Sequence, residues 1–499
     1  MPSQIFESVG MKKPRYSAFD LSHEKKLSGT LGNLIPILLQ EVLPGDFFRV
    51  KSEIMLRFAP MIAPVMHRHN IYVHYFFVPN RIIWDEWEDF ITGGVDGTSA
   101  PTFPQITLAS TSHGEGTLGD YLGLPTGAGS GYRPPVSALP FRAYQQIYND
   151  YYRDETLSPE INIYGTASTI SQMRERSYEK DYFTSALNST QRGPQVTIAG
   201  DIVYKSITDV SPSTGTPLTG AENVEYVDSG TLPGLTRTVT SLDSLVYENI
   251  DSLGITIEEL RQSTALQTYL ENNMRGGYRY IEQLLHRFGV KSSDGRLQRA
   301  EYLGGGRQPV VISEVLNTSA TATQEQGTMA GHGISVGSQM ATKKRFEEHG
   351  YLLGIMSVIP RTSYQQGIPK HWLRSDKLDF YSPEFANLGE QEVQLRELYY
   401  DSADTAEDQE GAFGYQQRYA EYKYGVSTVH GDFKTTLDYW HNGRIFGSTP
   451  ALNDTFIRVT GGDHNRIFAV TTGDHMFCQI YNEVKARRPM PYHARPTIR

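Results

Sequence analysis

The sequence predicts a mainly β protein: a sandwich of antiparallel strands with long loop insertions and a few helices. Three observations carry this. Gly (46) and Pro (26) punctuate many short apolar runs, the pattern of strands joined by turns. The aromatic residues are led by 31 tyrosines. Apolar alternation is clear near both ends of the chain, at Asn70 to Val78 and at Met476 to Val484, so the sheets must pair non-local strands. The chain has 499 residues, enough for a large core and about two to four units at roughly 100–200 residues per domain.

The first thirty residues scatter Ile5, Phe6, Tyr16, Phe19 and Leu21 among basic groups and read as an extended arm that packs on something else. Asp46 to Phe58 reads as a strand. In Asn70 to Val78, Ile71, Val73, Tyr75 and Phe77 point one way and Tyr72, Phe76 and Val78 the other. Both faces are apolar, which predicts a central strand covered on both sides. Trp84 to Ile91 is a short helix stopped by Gly93-Gly94, and Gly94 to Pro135 is a long surface loop. Phe141 to Tyr152 reads as an aromatic helix. The stretch 195–252 is polar and acidic, with SPSTGTPLTG and SGTLPG among short strand-like pieces. It reads as an exposed β-rich insertion, or as a disordered linker of the same composition.

Helices resume after it. Thr256 and Glu259 form a T-x-x-E capping box, and Ile281, Leu284, Leu285 and Phe288 form an amphipathic stripe. Val310 to Leu316, Leu352 to Ile359, Arg466 to Thr471 and Met476 to Val484 are further strand candidates. Asp401 to Glu410 is an acidic loop.

Cys478 is the only cysteine, which excludes an intrachain disulfide and cysteine metal clusters. The N-terminal MPSQIFESVGMKKPRYS has no apolar h-region, so no signal peptide is expected. The apolar stretches, such as Tyr351 to Ile359, are too short to span a bilayer, and no membrane insertion is expected. The formal net charge of −10 argues against a dedicated nucleic-acid binder. Contact with nucleic acid would have to come from local basic patches. One is C-terminal (Lys485, Arg487, Arg488, Arg495, Arg499), in a tail broken by Pro489, Pro491 and Pro496. The other is N-terminal (Lys12, Lys13, Arg15, Lys25, Lys26). The plainer reading is that both are solvated ends.

Catalytic and metal-binding patterns are incomplete. Gly333-Ile-Ser335-Val-Gly337 matches the G-x-S-x-G nucleophile elbow, but QEQGTMAGH before it makes no core strand. An esterase using Ser335 is therefore an alternative to be weighed against a Gly/Ser loop. His67, His69 and His74 share one segment without an acidic or cysteine partner at ligand spacing, which favours hydrogen bonding over a metal site. Gly304-Gly-Gly306-Arg307 lacks the phosphate-loop arrangement and reads as a backbone turn. No catalytic residue, cofactor or metal is assigned. The aromatic content leaves a β-sandwich carbohydrate-binding module as a further alternative.

Two long blocks are more specific than any of these motifs. They are LGNLIPILLQEVLPGDFFRVKSEIMLRFAPMIAPVMHRHNIYVHYFFVPNRIIW (Leu31 to Trp84) and MRGGYRYIEQLLHRFGVKSSDGRLQRAEYLGGGRQPVVISEV (Met274 to Val315). With RFEEHGYLLGIMSVIPRTSYQQGIPKHW (Arg345 to Trp372), SPEFANLGEQEV (Ser382 to Val393), RYAEYKYGVSTVHGDF (Arg418 to Phe433) and YNEVKARRPMPY (Tyr481 to Tyr492), they resemble, in order, the major capsid protein of gokushoviruses. These are small icosahedral single-stranded-DNA phages of the Microviridae.

The resemblance implies a viral jelly roll, an eight-stranded antiparallel sandwich. It implies a T=1 shell of about sixty copies around circular single-stranded DNA. The chain then divides into an arm (1–30), a first jelly-roll part (31–194), an exposed insertion forming a threefold protrusion (195–252), a second jelly-roll part (253–484) and a basic tail (485–499). The basic residues of both termini would face the packaged DNA. Implied partners are further copies of the chain, a small basic DNA-binding protein, an internal scaffolding protein, a DNA pilot protein and a host surface receptor. The implied location is the virion, assembled in the bacterial cytoplasm.

Overall fold

The computed structural model describes residues 15–109, 114–126, 133–194, 196, 257–277, 279–316, 329–338, 342–403 and 405–493. The chain forms two compact units, residues 191–275 and the remainder. In the larger unit the first strands are β1 (Ser17–Asp20), β2 (His23–Gly29), β3 (Ile35–Val42), β4 (Phe47–Phe58) and β5 (His69–Pro79). After the short pair β6 (Gln105–Ile106) and β7 (Val136–Ser137) come β8 (Glu301–Pro309), β9 (Val311–Leu316), β10 (Met329–Ser338), β11 (Thr342–Arg345) and β12 (Gly350–Pro360). The pair β13 (Glu390–Gln394) and β14 (Ala412–Gln417) precedes β15 (Met476–Arg488).

Two antiparallel sheets pack face to face. One has the order β3-β12-β5-β8. The other has the order β1-β15-β4-β10-β9, with β2 on β15 and β11 on β4. Inward residues of both sheets join one core, including Ile37, Val73, Tyr75 and Met356 from the first and Val50, Leu56, Ile480 and Val484 from the second. A polar chain crosses this core. Tyr75 Oη donates to Ser52 Oγ (2.7 Å), Ser52 Oγ donates to Asn482 Oδ1 (2.6 Å), and Asn482 Nδ2 donates to the Ile37 carbonyl (3.0 Å). All four residues are buried, so each hydrogen bond replaces water that cannot enter.

The outer face of the four-stranded sheet is covered. The helix α4 is preceded by α1 (Asn80–Ile83), α2 (Trp87–Thr92) and α3 (Leu118–Tyr121). It spans Leu139–Ile147 and runs on into a π-helical turn, Tyr148–Tyr152. Phe141, Tyr144 and Ile147 form a second core with Phe76, Val78 and Leu353. The expected strand with two apolar faces is therefore β5, central in its sheet and buried on both sides.

Several expectations change. The sandwich holds eleven strands among the described residues, four in one sheet and seven in the other, not eight. Setting aside the short additions β1, β2 and β11 leaves four in each. The N-terminal arm supplies β1 and β2, which pair with β15 of the same chain.

Residues 466–471 are not a strand. The segment begins inside a 3-10 turn, Gly461–Ile467, and plugs the sandwich with Phe468, which packs on Phe58 and His475. Gly304 to Arg307 is the interior of β8, not a turn. There a β-bulge opposes Tyr75 and Phe76, and a Cβ on Gly305 would lie 2.2 Å from the Val73 carbonyl oxygen, so only glycine allows that approach. Lys485 to Arg488 belong to β15, which ends where Pro489 removes the next ladder donor.

The amphipathic helix exists as Tyr280–Phe288, but Leu285 and Phe288 are exposed in the single chain. The helix Ile257–Gly276, with Glu258 and Glu259 in its first turn, lies in the smaller unit up to Arg275. Thr256, and 195–252 apart from residue 196, lie outside the described residues.

Candidate nucleic-acid interface

The seven-stranded sheet differs from its partner in what lies on its outer face. Along β4 the burial alternates, with Phe48, Val50, Ser52 and Ile54 inward and Phe47, Arg49, Lys51 and Glu53 outward. This follows from the two-residue period of a strand. β15 repeats the pattern, with Phe477, Gln479, Tyr481, Lys485 and Arg487 exposed and Met476, Cys478, Ile480 and Val484 buried.

Register brings the outward charges together. Lys485 lies opposite Arg49, Glu483 opposite Lys51, and Arg487 opposite Phe47. On the other side of β4, Lys343 also lies opposite Arg49 and Arg345 opposite Phe47. On the far side of β15, Asp20 lies opposite Lys485. Directly opposed residues share a face at about 4.5–5.5 Å between Cβ atoms. Arg49, Lys51, Lys343, Arg345, Lys485 and Arg487 thus meet Asp20, Glu53 and Glu483, six cations against three acids.

Two of those acids are engaged on the surface. Lys51 Nζ reaches Glu53 at 2.8 Å and Lys485 Nζ reaches Glu483 at 2.8 Å. Lys485 beside Glu483 holds that carboxyl below its usual range, and Arg49 and Lys51 add to the effect. Exposed pairs of this kind contribute little stability. They leave Arg49, Lys343, Arg345 and Arg487 outside these two pairs, with Asp20 as the remaining acid of the three. Aromatic groups stand among them: Phe47 and Tyr16 are exposed, and the Arg487 guanidinium sits 5.3 Å from the Tyr16 ring centroid.

The residues expected from the sequence fall into separate places. Lys485, Arg487 and the exposed Arg15 lie at this end of the sheet. Lys26 is exposed on β2 opposite Gln479, about 20 Å along β15 from Lys485 at about 3.3 Å per residue. Lys25 turns the other way. Its amine donates to the carbonyls of Pro36 (2.9 Å) and Tyr121, and burial pushes it down to about 8.

Arg488 also points inward. It reaches the fully buried Asp46 at 3.3 Å and the Glu41 carbonyl, so it clamps the sandwich. Lys12, Lys13, Arg495 and Arg499 lie outside the described residues. Sequence reasoning missed Arg49, Lys51, Lys343 and Arg345. Their signal was present as cations alternating with apolar residues in FRVKSE and as the basic run KKR, but their adjacency to residues more than a hundred positions away was not.

The motif alternatives resolve geometrically. Ser335 lies within β10 opposite Leu56. Its Oγ donates to the Pro309 carbonyl (2.8 Å) and accepts from Gln308 Nε2 (3.1 Å), so it is a buried structural hydroxyl with no strand-to-helix elbow. His67 bonds the Arg361 carbonyl, His69 bonds Asn442, and His74 bonds Tyr152. Burial pushes His67 and His74 down to about 4.

A family model described as capsid protein (F protein) matches residues 8–498. The chain belongs to this capsid-protein family. Among relatives of this capsid protein are the capsid proteins VP1 of Chlamydia phage 1, Bdellovibrio phage phiMH2K and Spiroplasma virus 4. The first is 33% identical, with 99% of this chain and 97% of the relative covered. The second is 34% identical, with 88% and 87% covered. The third is 31% identical, with 97% and 95% covered. The capsid protein is a structural protein and not an enzyme, which agrees with the buried role of Ser335. Among the described residues no helix is long and apolar enough to cross a membrane.

Proposed function

We propose that this capsid protein assembles, in about sixty copies, into a T=1 shell around circular single-stranded DNA. The bare face of the seven-stranded sheet is the surface that meets the DNA. One observation carries this: six cations from three strands share a face that has no helical layer over it in the described chain. Flexible phosphate backbone is neutralised by such a face without reading sequence. Phe47 and Tyr16 offer stacking surfaces for unpaired bases.

The chain at −10 cannot neutralise a genome by itself. A small basic DNA-binding protein supplies the remaining charge, and scaffolding and pilot proteins take part in assembly in the host cytoplasm. The segment 195–252 is the receptor-contacting protrusion. Self-assembly is supported by large apolar side chains left exposed in the single chain, among them Phe288, Trp372, Phe380 and Leu388, as expected of surfaces that neighbouring subunits cover.

Replacing Arg49, Lys343 and Arg345 by Gln tests the DNA-facing role. Measured on oligo(dT), the slope of log affinity against log salt should fall by about 2, at roughly 0.7 per lost phosphate contact. An unchanged slope in a folded variant would remove this face from the DNA contact.

A further inference from the structure

A cavity of about 330 Å³ opens beside the 3-10 turn at Gly461–Ile467. That volume lies within the range of small-ligand pockets. Its walls include Tyr178, Arg444, Phe446, Phe456, His464 and Arg466. Three features set it apart from an ordinary packing defect.

First, it carries two guanidinium groups, and among the described residues neither has a carboxylate within ion-pair distance. Arg466 donates to the carbonyls of Asp438, His441, Gly443 and Asp463, and the Asp438 and Asp463 carboxylates act on it without forming an ion pair. Arg444 is wedged among rings, 3.9 Å from the Phe456 centroid, 4.9 Å from Tyr178 and 5.0 Å from Phe446. The Tyr364 hydroxyl donates to Asp181 at 2.7 Å, and the Arg444 guanidinium also interacts with that hydroxyl.

Second, donors are left over. Arg444 uses Nη2 on the Phe456 carbonyl (2.7 Å), while its Nη1 is buried with no hydrogen-bond partner. His464 pairs Nε2 with the Tyr178 hydroxyl (2.8 Å), and its Nδ1 is likewise buried and unpartnered. Buried polar groups are nearly always satisfied, so two beside one cavity call for an absent acceptor. When Tyr178 donates to Nε2, the remaining imidazole proton sits on Nδ1 and both unused groups are donors.

Third, the charge is one-sided. Asp463 is the acid lining the cavity, and it is exposed at the rim, whereas the interior groups are cationic or neutral donors. Such a site suits an oxyanion. A tetrahedral one offers acceptors in several directions, as donors arriving from separate chain segments require, and Arg forks bind phosphoryl oxygens strongly.

We propose that this cavity is an anion-binding pocket that takes a phosphoryl group, held by Arg444 and the His464 Nδ1 proton. The pocket does not depend on the basic sheet meeting DNA. The phosphoryl group comes either from free phosphate or from a phosphodiester of a nucleic-acid strand.

Isothermal titration of the full chain with inorganic phosphate, and separately with the dinucleotide TpT, tests the site at constant ionic strength. Saturable binding of inorganic phosphate alone assigns a free-ion site. Binding of TpT alone or of both assigns a site open to a strand. In each supporting case Arg444→Gln weakens binding about tenfold or more. The rim substitution Ala451→Glu, at an exposed position beside the cavity, does the same without touching the core. The Arg49, Lys343, Arg345 triple variant leaves it unchanged. No saturable binding of either probe, or binding by folded Ala451→Glu and Arg444→Gln variants as tight as that of the parent protein, overturns the proposal.

Discussion

Asn482 shows how one side chain ties the sandwich together. It accepts from Ser52 in its own sheet and donates to the Ile37 carbonyl of the other. Asn482→Ala strands a buried hydroxyl and a buried carbonyl, at about 1–3 kcal/mol for each group left unpaired. The urea midpoint of the subunit should fall accordingly, and a midpoint within error of the parent would show that water replaces the side chain.

The histidines give a second prediction at this scale. Burial pushes His464 down to about 3 and His74 to about 4, from an ordinary value of 6.5. Their folded values are depressed, so the unfolded chain binds more protons in the window between. Stability is full above about pH 6.5 and falls as pH drops toward about 4, each ring adding a slope of up to about 1.4 kcal/mol per pH unit. Urea midpoints at pH 7 and pH 5 check this; a subunit more stable at pH 5 would reverse the sign and refute it. At Lys25 and Arg488, by contrast, charge in the sequence misled. Both are cations that the fold spends on its own carbonyls and on Asp46, and nothing in a linear string separates such a residue from a solvent-facing one.

Among the elements, β5 and β15 were legible because alternation records which faces are covered. Ile71, Val73 and Tyr75 face the other sheet, while Phe76 and Val78 face α4. Phe76→Ala should therefore cost about 3–5 kcal/mol, as much as a residue between the sheets. A loss under about 1 kcal/mol by denaturant titration would mean the helical layer is not part of the core.

The segment 466–471 misled because a short apolar run reads alike whether it is a strand or a plug over the sandwich's end. The basic face was half legible. Each strand shows its own cations, alternating in β4 and consecutive in β11, but β4, β11 and β15 meet only through pairings across hundreds of residues, and register is not written in any one of them. The smaller unit and the segment 195–252 had composition as their main signal, and composition does not fix a shape.

At the largest scale, among the described residues of the larger unit, one sheet is buried beneath helices and loops and the other has no helical layer over it, with its excess positive charge gathered at the β1, β15, β4 and β11 corner. This asymmetry suits a shell subunit, whose two sides meet different surroundings. An acidic chain with a local basic face can enclose a genome without binding nucleic acid indiscriminately. The most direct measurement is a reconstruction of the DNA-filled particle at side-chain resolution. The account predicts that Arg49, Lys343, Arg345, Lys485 and Arg487 line the lumen within reach of nucleic-acid density. If the seven-stranded sheet instead faces outward, or its cations are consumed in salt bridges between subunits away from the DNA, the account is contradicted.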